Sequence, residues 1–170
     1  SADGDTSLVR VPTANAFDPA NDLGWYMDLP EAGERVVSNP LVRGEIVFFN
    51  TIVPAAGDPC VVGGGGWLMS INICDGGRPQ LPVFDLNRDN VVDNGDLVAD
   101  QPLTDSDGNP ITYSPGGERF NQNEGLPWQS SVLGDRQYTP GSTGEIEDRD
   151  IDVGSSVVSG RLSWEQIINE

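Results

Sequence analysis

The sequence predicts an all-β protein made of antiparallel sheets. Three observations favour this class: apolar, β-branched segments recur about every ten residues, Gly and Pro turns separate them, and aromatic residues mark several of them. With 21 Gly, 13 Pro and 36% hydrophobic residues in 170, the composition favours short strands and many turns over long helices. A sandwich and a propeller both fit this pattern.

The first predicted strands precede residue 54. Residues 8–11 are a candidate edge strand, and residues 24–30, rich in aromatics and closed by Pro30, predict a buried strand. Residues 35–42 predict a strand broken at Pro40. Residues 46–53 are continuously apolar or β-branched apart from Asn50, which predicts the strongest strand, buried on both faces.

The next segments combine glycine with aromatic residues. Residues 55–66 predict a loop, and its four glycines, 63–66, favour close backbone approach, because no Lys-Ser follows to make a phosphate loop. Residues 67–74 predict a strand with Trp67 and Met69 on one face. Residues 82–84 predict a short strand leading into an acidic segment.

Residues 85–96 place oxygen-bearing side chains at steps one, three, five, nine and twelve. This is the ligand spacing of an EF-hand type calcium loop, in which step seven contributes a backbone carbonyl. A solvated acidic turn is the alternative, because Asp and Asn favour turns. The spacing predicts a Ca²⁺ site with the ligands Asp85, Asn87, Asp89, Val91, Asp93 and Asp96.

Two positions depart from the usual calcium loop. Step six is Asn90 where Gly normally makes the sharp turn, and step twelve is Asp96 instead of a longer, bidentate Glu. Asn tolerates the left-handed conformation, so Asn90 is an acceptable substitute. Val91 and Val92 are expected to point into the protein and anchor the loop.

The remainder predicts less regular structure. Residues 96–100 fit a helical turn or a strand end, and residues 101–154 are poor in apolar residues, apart from a short strand at 111–113. The acid-rich residues 145–152 predict a surface segment. Near the end, Ser163 and Gln166 form a capping-box pattern, which predicts a short C-terminal helix over 163–168.

A second acidic turn runs from Asp105 to Asn109. It predicts either a weaker cation site or a hairpin turn with Asp at its corners, and the sequence leaves both open.

Charge and residue types exclude several functions. The formal net charge is −18, which argues against nucleic acid and anionic membranes as partners and for metal cations. All nine basic residues are Arg, so a His-based triad, an imidazole-ligated zinc site and a Schiff-base lysine cannot be built. No apolar run reaches 18 residues, so no membrane span is expected.

Cys60 and Cys74 are the two cysteines of the chain. An even count favours a disulfide closing a loop of about 15 residues, which stabilises by about 3 kcal/mol in the chain-entropy estimate. Two reduced cysteines are the alternative. Neither cysteine has a histidine to activate it, so a catalytic thiol is not expected.

Four segments together resemble the C-terminal part of the PilY/PilC-type type IV pilus tip proteins. They cover roughly half the chain and read GWYMDLPEAGERVVSNPLVRGEIVFFNTIVP, DPCVVGGGGWLMSINI, FDLNRDNVVDNGDLV and GRLSWEQI. The resemblance implies that residues 1–170 are a C-terminal fragment of a modified β-propeller, forming its last blade or blades. The expected organisation is a strand-rich part at 23–100, the calcium loop at 85–96 and a loop-rich tail at 101–170.

The same resemblance implies a function without catalysis. It predicts export to the cell surface or pilus tip, outer-membrane association or release, and calcium-dependent pilus biogenesis, adhesion and twitching motility. The implied partners are the remainder of the propeller, minor pilins, and a host or abiotic surface. The family's calcium ligands carry over onto Asp85, Asn87, Asp89, Val91 and Asp93, whereas Asp96 rests on spacing alone.

Two other classes remain as alternatives. A dockerin-like docking module has a similar loop but needs a second copy and a long helix after each loop, and Gln101-Pro102 stops such a helix. A propeller-type extracellular hydrolase needs two acids that converge in a cleft, and nothing in the sequence marks such a pair among the 27.

Overall fold

The computed structural model describes residues 8–13, 17–18, 20–55, 63–121 and 124–154. These residues are all-β with antiparallel pairing, as predicted, and include one short 3-10 turn, Asn94–Asp96. The strands are β1 (Val9–Arg10), β2 (Arg35–Val36), β3 (Leu41–Arg43), β4 (Ile46–Pro54), β5 (Gly64–Asn72), β6 (Val98–Thr104), β7 (Pro110–Tyr113), β8 (Gly117–Arg119), β9 (Ser131–Leu133), β10 (Arg136–Pro140) and β11 (Ile146–Asp150).

The largest sheet has the order β1–β8–β5–β4–β2, and β3 also pairs with β4. Its centre is the β4–β5 ladder, which runs from Ile46 opposite Asn72 to Pro54 opposite Gly64. The apolar, β-branched content of β4 suits this central position, and most of its first six residues are buried. The prediction that this strand is buried on both faces is confirmed for that part.

Two smaller sheets complete the fold: β11–β10–β9 and the hairpin β6–β7. The three-stranded sheet is tied to the segment before the acidic loop, because Phe84 forms an antiparallel bridge with Ile151. The Asp152 N–H also donates to the Val83 carbonyl at 3.0 Å. The chain therefore enters the loop from a segment that contacts β11.

The apolar core lies against one face of the large sheet. The rings of Phe48 and Phe84 meet edge to face with centroids 6.3 Å apart, and Val132 of β9 packs against the same cluster. Removing these side chains from water is the main favourable term in such a core. Its buried members are Ile46, Phe48, Leu68, Val83, Phe84, Phe120 and Ile151.

The other face of the large sheet carries a charged network around Trp67. The guanidinium carbons of Arg10 and Arg119 lie 3.8 and 5.2 Å from a Trp67 ring centroid. Glu31 accepts hydrogen bonds from Trp67 Nε1 at 2.6 Å and from Arg119 Nη1 at 2.5 Å. Glu34 binds Arg10 at 2.6 Å, so the turn before β2 is fastened across β5 and β8.

The predicted strand at residues 24–30 is wrong. The structure has no strand there, and Leu23 and Tyr26 are among its most exposed apolar residues. Trp25 is the anchor of this segment, since its Nε1 donates to the Ile73 carbonyl at 2.9 Å and its ring lies against Gly76. An extended surface segment can hold one anchored aromatic ring. The amino-acid composition of residues 24–30 does not distinguish such a segment from a strand.

The glycine run is strand, not loop, from Gly64 onward, and β5 ends at Asn72 before Cys74. The predicted close approach is nevertheless present. A Cβ added at Gly66 would lie 2.6 Å from Pro127 Cγ and would also meet the Thr51 carbonyl oxygen. Glycine is therefore required there because two other segments occupy the space of a side chain.

The predicted loop-rich tail contains β7 to β11. Residues 145–152, predicted as a surface segment, include β11, where Glu147 and Arg149 are buried. Gln137 and Thr139 of β10 are buried as well. Because the inward-facing positions of these strands are polar, apolar alternation does not reveal them.

Other predictions have mixed outcomes. Strands at residues 9–10, 35–36, 41–43 and 110–113 match the expected edge strand, broken strand and short strand. The C-terminal helix over 163–168 lies outside the described residues. The propeller architecture stays a prediction. In the part of the chain that the structure describes, no helix is long and apolar enough to cross a membrane.

Candidate metal site

The acidic loop is held at both ends. At its start, the Asp85 N–H donates to the Asp150 carbonyl at 3.2 Å, and Leu86 packs against the apolar core. At its end, the 3-10 turn Asn94–Asp96 leads into β6. Leu86 is the core anchor, whereas Val91 is 55% exposed, so the expectation that Val91 points inward is wrong.

The Asp85 carboxylate organises the first half of the loop. Its Oδ1 accepts the N–H groups of Arg88 at 2.6 Å and Asp89 at 3.2 Å, and its Oδ2 accepts the N–H of Asn90 at 2.8 Å. Asp85 is only 4% exposed. A buried carboxylate needs such donors, and these three bend the backbone around its oxygens.

The Asp96 carboxylate closes the loop. Its Oδ1 accepts the N–H groups of Leu86 at 2.8 Å and Asn87 at 3.2 Å, and its Oδ2 accepts the N–H of Asp93 at 2.9 Å. Asp93 in turn accepts the Gly95 N–H at 2.6 Å and caps the 3-10 turn. Step twelve therefore joins the entry and exit of the loop through direct hydrogen bonds.

The intermediate donors repeat one local pattern. Asn87 Oδ1 accepts the N–H of Asp89 and Asp89 Oδ1 accepts the N–H of Val91, each at 2.9 Å. These Asx turns coil the chain so that alternate side chains face the same side. Across the loop, Asp93 Oδ1 and Asn87 Nδ2 lie 2.9 and 3.0 Å from the position of a Cβ added at Gly95. The side chains of steps three and nine thus approach one another.

Two residues of the loop adopt the left-handed conformation, Arg88 at φ 60° and Asn90 at φ 68°. Asn90 was expected to replace glycine at step six, and its backbone has the conformation that this step requires. Arg88 is an unexpected second position. For an arginine this conformation costs about 1 kcal/mol, so the surrounding hydrogen bonds must offset it.

The donor set fits a hard cation. Carboxylate, amide and backbone oxygens are the ligands of Ca²⁺, and the residues that would hold it are Asp85, Asn87, Asp89, Val91, Asp93 and Asp96. In the described residues no three His, Cys, Asp or Glu side chains are already grouped as a metal site. The loop carboxylates are turned toward backbone N–H groups, and each oxygen has a second lone pair. Ion binding would recruit those remaining lone pairs.

A buried ionic cluster joins β8 and β11 beside the loop. Arg149 Nε donates to Glu118 Oε2 at 3.0 Å, and the same guanidinium is paired with Glu147. Burial raises the pKa of Glu118 to about 7, and the Glu147 charge adds to this while Arg149 opposes it. Burial likewise raises the pKa of Glu147. The sequence did not predict this cluster. The signal available was that Glu147 and Arg149 lie two residues apart and therefore share one face of a strand.

The second acidic turn is the connection of the β6–β7 hairpin. Asp105 Oδ1 accepts the N–H groups of Asp107 and Asn109 at 2.9 Å each, and all three residues are exposed. These hydrogen bonds hold the pKa of Asp105 below its usual value. The geometry is that of a hairpin turn, the simpler of the two predicted readings.

The disulfide stays a prediction. Cys74 is exposed in the turn after β5. Its expected partner, Cys60, lies outside the described residues.

About half of the chain is similar in sequence to known proteins. The type IV pilus biogenesis factor PilY1 of Pseudomonas aeruginosa strain PAO1 is 36% identical over 96 residues, which are 51% of this chain and 8% of that protein. A PilY1 homolog of Xylella fastidiosa is 40% identical over 77 residues, 41% of this chain and 6% of the homolog. The chain is similar to PilY1.

The fold has a solved counterpart as well. The crystal structure of the P. aeruginosa PilY1 C-terminal domain matches 72% of this chain and 21% of that one, with a TM-score of 0.50 and 20% identity. At that identity the match concerns the fold. The chain thus spans less than a tenth of the curated PilY1 relatives it matches. No family profile matches it.

Proposed function

We propose that this chain is a calcium-binding, C-terminal portion of a type IV pilus tip protein. Its role would be structural and regulatory, supporting pilus biogenesis, surface adhesion and twitching motility without catalysis. The single observation that carries the proposal is the loop at residues 85–96, coiled by side-chain hydrogen bonds at every predicted side-chain ligand step. The similarity to PilY1, named as a type IV pilus biogenesis factor, supports the pilus context.

The finer parts of the proposal follow from the same similarity. The strands would form the last blade or blades of a modified β-propeller completed by the remainder of the protein. The protein would be exported and displayed at the pilus tip or cell surface, with minor pilins and a host or abiotic surface as partners. A Cys60–Cys74 disulfide suits such an oxidising location.

The structure around the loop does not favour the dockerin-like alternative. A dockerin-like module needs a long helix directly after the loop. Here the loop ends in the three-residue turn Asn94–Asp96, and β6 follows at Val98. An ion bound in this loop would stabilise the strands on either side of it, because a ligand that binds only the folded state favours that state.

Calcium binding is tested by thermal unfolding with saturating calcium and with a chelator. Calcium should raise the Tm by several degrees, because an ion at about 100 times its Kd stabilises the folded state by about 2.7 kcal/mol. Asp89→Ala removes one predicted ligand and should abolish most of the shift. Asp89 accepts one backbone N–H in the described structure, so the fold should tolerate this change.

Asp105→Ala is the matched control. Asp105 also accepts backbone N–H groups in an acidic turn but lies in the β6–β7 hairpin, so its variant should keep the full calcium shift. A parent chain whose Tm is the same with calcium and with chelator would contradict the proposal. Turnover of glycan or peptide substrates would contradict the assignment of a role without catalysis.

A further inference from the structure

A cleft of about 320 Å³ separates the acidic loop from β11. Asp85, Arg88 and Asn90 line it on the loop side, and Glu147 and Arg149 line it on the strand side. One predicted calcium ligand, Asp85, and two members of the ionic cluster, Glu147 and Arg149, therefore face the same space, and Arg149 connects it to Glu118. Charges on the two sides interact across it because a cleft walled by protein screens them less than bulk water does.

The buried cluster has one negative charge in excess. It contains two carboxylates, Glu118 at 1% and Glu147 at 7% exposure, but a single guanidinium, Arg149 at 7%. Leaving a buried charge uncompensated is costly, so a proton on the cluster, a positive charge beside it, or both must offset the excess. A proton is the internal solution, and burial places the pKa of Glu118 at about 7.

The loop already contributes charge to this balance. The positive charge of Arg88 lowers the pKa of both Glu118 and Glu147, against the larger effect of burial. Arg88 is fixed in place by its backbone, since its N–H donates to Asp85 Oδ1 at 2.6 Å and its φ is 60°. A positive charge within the loop is thus felt at Glu118.

We propose that calcium binding to the loop and protonation of the Glu118–Arg149–Glu147 cluster are coupled, so that calcium entry expels a proton from Glu118. The inference rests on the proposed calcium site. A bound calcium ion places two positive charges on the loop side of the cleft. These charges favour the deprotonated form of Glu118, whose negative charge partly compensates them. By linkage, calcium affinity must rise as the pH rises through the range in which Glu118 loses its proton.

The other charged side chains around the cleft include those of Arg136, Asp148, Asp150 and Glu124. Arg136 is paired with Asp148 at 2.6 Å and with Asp150 at 2.8 Å, and the pKa of Asp150 is lowered by this contact. Glu124 lies at the cleft rim, and its charge raises the pKa of Glu147. Facing Glu118 itself, the charged groups are Arg149, Glu147 and Arg88.

The test is isothermal titration calorimetry of calcium into this chain at pH 7 in two buffers with different ionisation enthalpies. Proton release appears as a binding enthalpy that depends on the buffer. From pH 6 to pH 8 the calcium affinity should rise about two- to fivefold, the size of a screened interaction between a divalent ion and one charge. Glu118→Gln should remove both the buffer dependence and the rise.

Glu34→Gln is the matched control, because Glu34 is also a buried, Arg-paired carboxylate but belongs to the network on the opposite face of the sheet. Its pKa is lowered by Arg10 and Thr51 despite burial, so it does not titrate near pH 7. The control should keep the buffer dependence of the parent chain.

The outcomes separate the two proposals. Calcium binding without proton release in the parent chain overturns the coupling while leaving the calcium site intact, as does a buffer dependence that Glu118→Gln retains. Absence of calcium binding at every pH overturns the proposed function and the coupling with it. The measurement on the parent chain decides the matter even where a variant does not fold.

Discussion

At the scale of single residues, Asp96 shows how much one carboxylate does without any ion. It is 1% exposed and accepts three backbone N–H groups drawn from both ends of the loop. Spacing alone assigned it as a metal ligand, and that role stays a prediction. Its structural role follows from the hydrogen bonds themselves.

Asp96→Ala should destabilise the calcium-free chain by about 2–4 kcal/mol. The change leaves the buried N–H groups of Leu86, Asn87 and Asp93 without their acceptor, and each unsatisfied group is costly. Urea unfolding in the presence of a chelator measures the loss. Asp107→Ala, at an exposed position of the hairpin turn, should stay within about 0.5 kcal/mol of the parent chain. Equal stability of the two variants would contradict this role of Asp96.

Asn90 and Arg88 show the reach of sequence reasoning at this scale. Step six of a calcium loop requires a left-handed residue, so the conformation of Asn90 was predictable from its position. Arg88 at step four has no such signature. Its conformation follows from the hydrogen bond of its N–H to Asp85, which only the folded loop reveals.

At the scale of elements, the β4–β5 ladder depends on glycine where another segment crosses it. Pro127 lies against Gly66 of β5, and Gly66 pairs with Ile52 of β4. The apolar side chains of β4 and β5 set the register in which the two strands pair. The glycines at the start of β5 leave room for the segment before β9. The sequence located the close approach but not the strand in which it occurs.

Gly66→Ala should destabilise the protein by about 2–4 kcal/mol, because its Cβ would meet backbone at Thr51 and the ring of Pro127, neither of which moves easily. Chemical denaturation measures the change. Gly65→Ala is the neighbouring control, since its Cβ would meet only the flexible end of Arg119 at 3.0 Å. A smaller effect at position 66 than at 65 would contradict the packing described for β5.

At the scale of the whole molecule, the interior is unusually charged. Glu118, Glu147 and Arg149 are buried near the apolar core, while the Arg10–Glu34 pair lies on the other face of the sheet. Their protonation links the stability of the fold to pH. Because the folded-state pKa of Glu118 is raised from 4.5 to about 7, the folded state binds more protons than the unfolded state between these values.

Without calcium, stability should therefore fall as the pH rises from about 4.5 to about 7, by about 1–3 kcal/mol from this group. Glu118→Gln should flatten the decline, since glutamine does not titrate. Urea unfolding of both chains at pH 5 and pH 7.5 in chelator provides the comparison. A parent chain and variant with parallel pH profiles would show that Glu118 does not carry the effect.

The sequence by itself determined the features that depend on neighbours along the chain. The loop at residues 85–96 is coiled by side chains that bind N–H groups two to five residues away, and Asp96 closes it by binding N–H groups nine and ten residues earlier. Such contacts follow from spacing. The β4 strand follows from continuous apolar and β-branched content, and the part of β5 from Trp67 to Asn72 follows from its alternating apolar residues. The all-β class follows from the same signals.

Only the tertiary structure decided the features that depend on distant partners. Leu23 and Tyr26 are exposed because their segment found no strand to pair with, whereas β10 and β11 exist because Gln137, Glu147 and Arg149 have polar partners inside. A polar residue can be buried only when those partners converge in space. Composition and periodicity do not indicate which distant residues meet, so the ionic cluster beside the loop can be identified only from the folded structure.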